Sequence, residues 1–472
     1  MNKEDICFLS AYEMREKIQS QELTSSEITE TIIERIEKIN PIINAYCTPT
    51  FEVAREMAKK ADIAIKQNED LGLLHGVPLS IKDLVMTKGV RTTFGSKLYE
   101  NFIPEEDEEV VIRLKRAGSV VLGKTNTPEF GHVTVTFNLI FGETKNPWNT
   151  ERTTGGSSGG AGAAVASGIS PLALGSDGGG SIRVPSSLCG IYGLKPTYGR
   201  IPKYPRIGNE FYTLDHYGPM TRYVKDAALM LDVMKGPHMG DRQSLPEQNI
   251  SYVEEIEKKP SKLKIGYSLD LGLAKALDTD VEKAILNSLQ KFESYDWIAE
   301  EVKLKMRKAE NAFYTLATVG TAFDFKNKLE EWKDQITPGL LKQIEVALPM
   351  TAMNLELALA QRLSCDEIMY QFFKNYDVLI TPTTAIPAFE LGIVGPTKIK
   401  DKPISHSGWY PFTYPFNLTA LPAASIPCGW SSENLPIGMQ IIGKRFDEKT
   451  VLQASKVFEE ISPWQERKPK FN

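Results

Sequence analysis

The 472-residue sequence has no CxxC pair and only five cysteines: Cys7, Cys47, Cys189, Cys365 and Cys428. Scattered and odd in number, they argue against a disulfide framework or a cysteine metal cluster, and they fit a reducing, cytoplasmic compartment. An excess of positive charge is also missing. Fifty-five basic residues face 60 acidic ones, a net charge of −5, so nucleic acid is not expected as a partner, because phosphate binding wants a basic footprint. The first residues, MNKEDICFLSAYEMREK, contain no apolar core and do not resemble a secretory signal. No membrane partner is expected either. Residues 153–176 and 407–432 are uncharged, but the first run is rich in Gly and Ser, and the second holds Pro411, Pro415, Pro422 and Pro427. What remains is ordinary: 42% hydrophobic and 24% charged residues, enough to bury a sizeable core over this length.

Along the chain, Thr24-Ser-Ser-Glu27 forms a capping box, followed by Ile28, Ile32, Ile36 and Ile39 on one helical stripe. Residues 76–83, GVPLSIKD, switch to a period of two. Val77, Leu79 and Ile81 face one way, Ser80 and Lys82 the other. Residues 108–117 read as a helix and 119–123 as a short buried strand. From about 280 to 375 the pattern is mostly helical. Residues 376–384 and 434–443 read as strands, and 447–460 as a closing helix. Strands alternating with helices, without repeats or low-complexity linkers, indicate an α/β protein.

Residues 153–187 crowd glycine and serine into two clusters, around Ser157-Ser158 and at Gly178-Gly179-Gly180-Ser181. A flexible linker would not interleave AAVAS and PLAL, which want burial. Turns without chemistry, or backbone brought close to a ligand, both remain open on composition. Two motif matches fail on context. Gly118 to Thr125 satisfies the phosphate-loop pattern, but a helix precedes it, its interior is β-rich, and Pro128 follows. Gly156 to Gly160 satisfies the G-x-S-x-G elbow, but KNPWNTERTT before it is no hydrophobic strand. The five histidines, His75, His132, His216, His238 and His406, show no spacing that singles out a base. Taken alone, Lys82 is most simply a solvated lysine on an exposed strand face.

A third match has a different quality. GGSSGG (155–160), GSDGGGSIR (175–183) and HGVPLSIKD (75–83) resemble the amidase signature family. KTNTPEFG (124–131), GETKNPWN (142–149), CGIYGLKPTYGRIP (189–202), YDVLITPT (376–383), NLTALPAASIPCG (417–429) and LPIGMQIIG (435–443) continue the likeness in the family's usual order. It spans nearly the whole chain, so it outweighs composition.

The resemblance implies one α/β domain with a mostly parallel mixed sheet covered by helices. A catalytic core would lie at about 70–235 and a helical region shaping the substrate pocket at about 280–375. It implies a Ser–cis-Ser–Lys group: Ser181 as nucleophile, Ser157 as bridging serine after a cis peptide, and Lys82 as base. Gly178, Gly179, Gly180 and Ser181 would offer backbone amides to an oxyanion. Ser158, Asp177 and Arg183 would orient the site. No metal and no cofactor is implied, and the substrate would be a small-molecule amide. A homodimer is left open.

The main reading is an amidase releasing acid plus ammonia or amine. The alternative is the glutamine-hydrolysing subunit of a tRNA-dependent amidotransferase. As aligned here, that branch carries acidic residues where this chain has Phe137 and Tyr410. Together with Phe412, these suggest an apolar or aryl substrate pocket. A catalytically dead binding protein is disfavoured, because all three catalytic positions are intact.

Overall fold

Thr24 starts the helix Ser25–Ile43 as the capping box requires. Its Oγ1 accepts from the Glu27 amide at 3.1 Å, and Glu27 Oε2 accepts from the Thr24 amide at 2.7 Å. The stripe Ile28, Ile32, Ile36 and Ile39 is buried. These features belong to a computed structural model that describes residues 1–69, 71–205, 213–258, 260 and 262–471. Within the stretch 70–235, residues 70 and 206–212 therefore lie outside the described residues.

Eleven strands build one sheet. In chain order they are β1 (Tyr46–Pro49), β2 (Pro78–Lys82), β3 (Val120–Thr125), β4 (Leu172–Asp177), β5 (Tyr192–Lys195), β6 (His216–Thr221), β7 (Ile265–Tyr267), β8 (Ala299–Glu301), β9 (Val378–Pro382), β10 (Ala423–Trp430) and β11 (Pro436–Gly443). Their spatial order is β1-β3-β2-β4-β6-β5-β10-β11-β9-β7-β8. The fold is a single large α/β domain with a mixed sheet flanked by helices. The sheet is not mostly parallel, however. Only β3–β2, β2–β4, β9–β7 and β7–β8 pair in parallel, and the other six neighbours are antiparallel. The short connection between β10 and β11 makes a hairpin, which forces antiparallel pairing.

Two features place the site. First, β2 lies between two parallel neighbours, so its residues are buried on both faces. The alternation in GVPLSIKD therefore separates an apolar interior face from a polar interior face, and Lys82 is fully buried rather than solvated. Second, the glycine- and alanine-rich helix Gly159–Ala166 is buried along its entire length. It packs against β2, β3, β4 and β6, and its small side chains let those backbones approach. The Gly/Ser stretch is thus core, not linker.

Residues 118–125 form a turn and β3, with Lys124 and Thr125 inside the strand, so they make no phosphate loop. The stretch 280–375 contains the helices Ala309–Phe325, Pro338–Ala347 and Ala352–Phe372, which pack together, and also the edge strand β8. No helix among the described residues is long and apolar enough to cross a membrane.

Candidate active site

The parallel strands β2 and β4 end side by side, with Lys82 closing one and Asp177 the other. The loop after the carboxyl end of a parallel strand is where such sheets present ligands. Here that loop is Gly178-Gly179-Gly180-Ser181.

Lys82 Nζ donates to Ser157 Oγ at 2.6 Å and to Ser176 Oγ at 3.0 Å. Burial strips the ammonium of water and pushes the lysine down to about 7; Asp215 and Asp177 pull it up, and Lys203 pushes it further down. At neutral pH a substantial fraction of Lys82 is then the free amine, which can accept a proton. Asp83 takes no part. It follows Lys82 but turns to the Thr93 amide, from which it accepts at 3.1 Å, and faces Lys124.

Ser157 follows a cis peptide bond at Gly156–Ser157. A Cβ on Gly131, which has φ +69°, would sit 3.3 Å from Ser157 Oγ, so that glycine lets the 129–132 turn fold over the relay. Ser158 points elsewhere. Its Oγ donates to the Ser176 carbonyl at 3.1 Å and accepts from the Ser176 amide at 3.3 Å, while its amide donates to the Ser181 carbonyl at 3.1 Å. A fully buried, saturated hydroxyl cannot be an exposed nucleophile, so the elbow geometry is absent.

Asp177 and Arg183 form a fully buried two-bond ion pair, both contacts at 2.9 Å. Arg183 also donates to Gln440 Oε1 and Asn417 Oδ1, each at 2.6 Å. Burial raises the Asp177 carboxyl, but the Arg183 guanidinium more than offsets this and holds it well below the usual carboxylate range. Its carboxylate accepts from the Gly180 amide at 2.7 Å and the Ile182 amide at 3.1 Å. This corrects one expectation: the Gly180 amide is taken by Asp177 and is not available to an oxyanion. The amides of Gly178, Gly179 and Ser181 meet no acceptor among the described residues. Gly180 has φ +131°, and a Cβ there would run into Thr413 Oγ1. The turn therefore needs glycine.

Ser157, Ser176, Gly178, Gly179 and Ser181 line a cavity of about 620 Å³. Ser181 Oγ makes no hydrogen bond among the described residues and sits at the cavity wall. It makes no hydrogen bond to Ser157, and such contacts often tighten only when substrate binds. Phe94, Tyr99, Phe130, Phe313 and Tyr410 give the cavity an aromatic wall. Phe313 comes from the Ala309–Phe325 helix, and Lys342 and Gln343 from the Pro338–Ala347 helix. The region 280–375 thus supplies side chains to the wall.

Of the three residues expected in the substrate pocket, only Tyr410 lines the cavity; its hydroxyl lies 3.2 Å from that of Tyr314. Phe137 is 41% exposed on a two-residue strand paired with Glu143, outside the cavity. Thr136 takes the inward direction there, donating to the Gly155 carbonyl at 2.9 Å, so alternation turns Phe137 out. Phe412 is buried beneath the site, where its carbonyl accepts from Gln440 Nε2 at 2.9 Å. Sequence reasoning missed Asp215, Lys203 and Tyr217, which also line the cavity. Tyr217 owes its place to antiparallel pairing of β6 with β4, and Asp215 and Lys203 come from the chain before that strand, which no local pattern announces. Among the described residues no group of three His, Cys, Asp or Glu side chains could hold a metal.

A sequence profile of the family described as Amidase matches residues 27–452. The chain is 37% identical over 475 residues to an acylamidase of Rhodococcus erythropolis, covering 99% of this chain and 98% of that one. It is 36% identical over 487 residues to a glutamyl-tRNA(Gln) amidotransferase subunit of Sulfurihydrogenibium sp., covering 98% of each. A crystal structure of a bacterial aryl acylamidase in the amidase signature family superposes with a TM-score of 0.91 at 30% identity, over 97% of each chain.

Proposed function

The chain belongs to the amidase signature family of hydrolases, and from that premise we propose that it hydrolyses apolar or aryl amides through an acyl-enzyme at Ser181. The observation that carries the reading is the 2.6 Å contact between buried Lys82 and Ser157, beside a Ser181 hydroxyl that opens onto an aromatic cavity.

Neutral Lys82 takes a proton from Ser157 as Ser157 takes one from Ser181. Ser181 Oγ attacks the amide carbonyl, since a serine hydroxyl needs such a base at neutral pH. The oxyanion meets the amides of Gly178, Gly179 and Ser181. The relay then returns a proton to the leaving amine, the C–N bond breaks, and water hydrolyses the ester at Ser181.

Substrate choice rests on Phe94, Tyr99, Phe130, Phe313 and Tyr410 around the cavity, together with the acylamidase and aryl acylamidase relatives. Each buried CH₂ is worth about 0.8 kcal/mol. The alternative, a glutamine-hydrolysing amidotransferase subunit, draws on the 36% identical relative; Phe137, outside the cavity, no longer counts against it. A panel of anilides, benzamide, hexanamide and glutamine decides. Higher kcat/KM for the apolar amides is expected, and preference for glutamine would favour the amidotransferase reading.

A further inference from the structure

One charged pair on the cavity wall has no part in the relay. Lys203 and Asp215 are bonded to each other, and about a fifth of each side chain is exposed. The register of β6 places the residues that follow Asp215. In the antiparallel pairing of β6 with β4, Tyr217 lies opposite Ser176 and His216 opposite Asp177. Paired residues share a face and alternate along the strand. Tyr217 therefore points to the face on which Ser176 Oγ meets Lys82. Asp215, two residues earlier and just before β6, lines the same cavity as Tyr217 and Ser176. Lys203 reaches this wall from the loop before β6, with its ammonium 4.3 Å from the Tyr217 ring centre.

We infer that Asp215 is a positioning residue whose carboxylate sets how tightly Lys82 holds its proton, with Lys203 as the counterweight. The inference rests on Lys82 acting as base for Ser181. The other charges near Lys82 are, like Asp215 itself, held by partners. Asp83, next on its own strand, is held by Thr93. Lys124, on β3, donates to Thr87 and to the Val85 carbonyl. Asp177, on β4, is locked to Arg183. His216, on β6, is driven neutral by burial and by Lys195. Glu108, behind Tyr217, is bonded to its hydroxyl at 2.5 Å and to the Met86 amide at 2.8 Å. Asp215 is the leading charge that opposes the loss of proton affinity by burial. That opposition has a use. A lysine stripped of water with no nearby carboxylate would be neutral but too weak a base, whereas proton transfer works best with the proton affinity near the working pH.

The test reads the rate at which a fluorophosphonate labels Ser181 across the neutral and alkaline range, so no substrate need be known. Asp215→Asn should move the midpoint of the profile down by about one pH unit, the size expected of one nearby charge in a partly wet site, and should lower the plateau. Lys203→Gln should move the midpoint up, and the double variant should return it toward wild type. Thermal melts confirm folding, and each single variant serves as control for the other. Midpoints that stay fixed, or move the same way in both variants, overturn the inference while leaving the relay intact. A profile unchanged in Lys82→Ala would instead remove the relay and the inference with it.

Discussion

Lys82 and Lys124 stand on adjacent parallel strands, with Ile81 paired to Lys124 and Lys82 to Thr125. Both are fully buried, and burial pushes both down, to about 7 and about 8. By proton affinity alone they are near twins, yet they sit in different chemistry. Lys124 is wrapped by the Val85 carbonyl, Thr87 Oγ1 at 3.0 Å and Thr92 Oγ1 at 3.3 Å, with Asp83 opposite. A carbonyl can only accept, so this cage suits an ammonium that pins the 85–92 loop. Lys82 meets a carbonyl, that of Ser176, only at 3.5 Å; its close partners are the hydroxyls of Ser157 and Ser176, which can donate as well as accept, and Ser157 opens onto the cavity. A perturbed proton affinity marks a candidate site; the partners decide whether it is a base or a clamp.

Substitution should pull the two lysines apart. The largest effect belongs to Lys82→Ala, which should lose most activity at pH 7 and recover part of it at high pH, where hydroxide replaces the base. Lys82→Arg should stay inactive throughout, because guanidinium does not give up its proton. On the proposed mechanism the active form in the wild type is the neutral amine, favoured above about 7 because burial pushes Lys82 down to there. kcat/KM for a neutral amide should therefore rise through neutral pH and then level. Ser157→Ala comes next, with a loss of about 10²–10⁴-fold in kcat, the range of a lost proton-transfer group. Lys124→Met should show the opposite split. Turnover per folded molecule should stay within a few-fold of wild type, while stability falls by about 1–3 kcal/mol as Val85, Thr87 and Thr92 lose their donor. Denaturant unfolding beside steady-state kinetics separates the two. A Lys124 variant that keeps full stability but loses activity would collapse the distinction.

That distinction was legible only in part from the sequence. Period-two patterning placed Lys82 opposite Val77, Leu79 and Ile81, and the resemblance to the amidase signature family implied its link to Ser157 and Ser181. Local patterns carry such information because a strand alternates its faces and a tight turn demands glycine. They did not show that the polar face of β2 is interior, since that depends on neighbours nearly a hundred residues away in β4. For the same reason Asp215 and Lys203 went unseen, and the proportion of parallel pairing was misjudged. Gly180 shows a finer limit. Its place in the glycine run was plain, but the turn of Asp177 back onto its amide could not be read from residue types. Phe137 and Phe412 were placed by aligning a loop, where one residue of phase decides between cavity, surface and core.

The relay from Lys82 through Ser157 to Ser181 is the central claim, and covalent labelling tests it most directly. A fluorophosphonate should add once per chain, on the peptide holding Ser181, at a rate that rises through neutral pH in the wild type and is much slower at pH 7 in Lys82→Ala. A label on Ser158, or wild-type labelling rates in Lys82→Ala at pH 7, would contradict it.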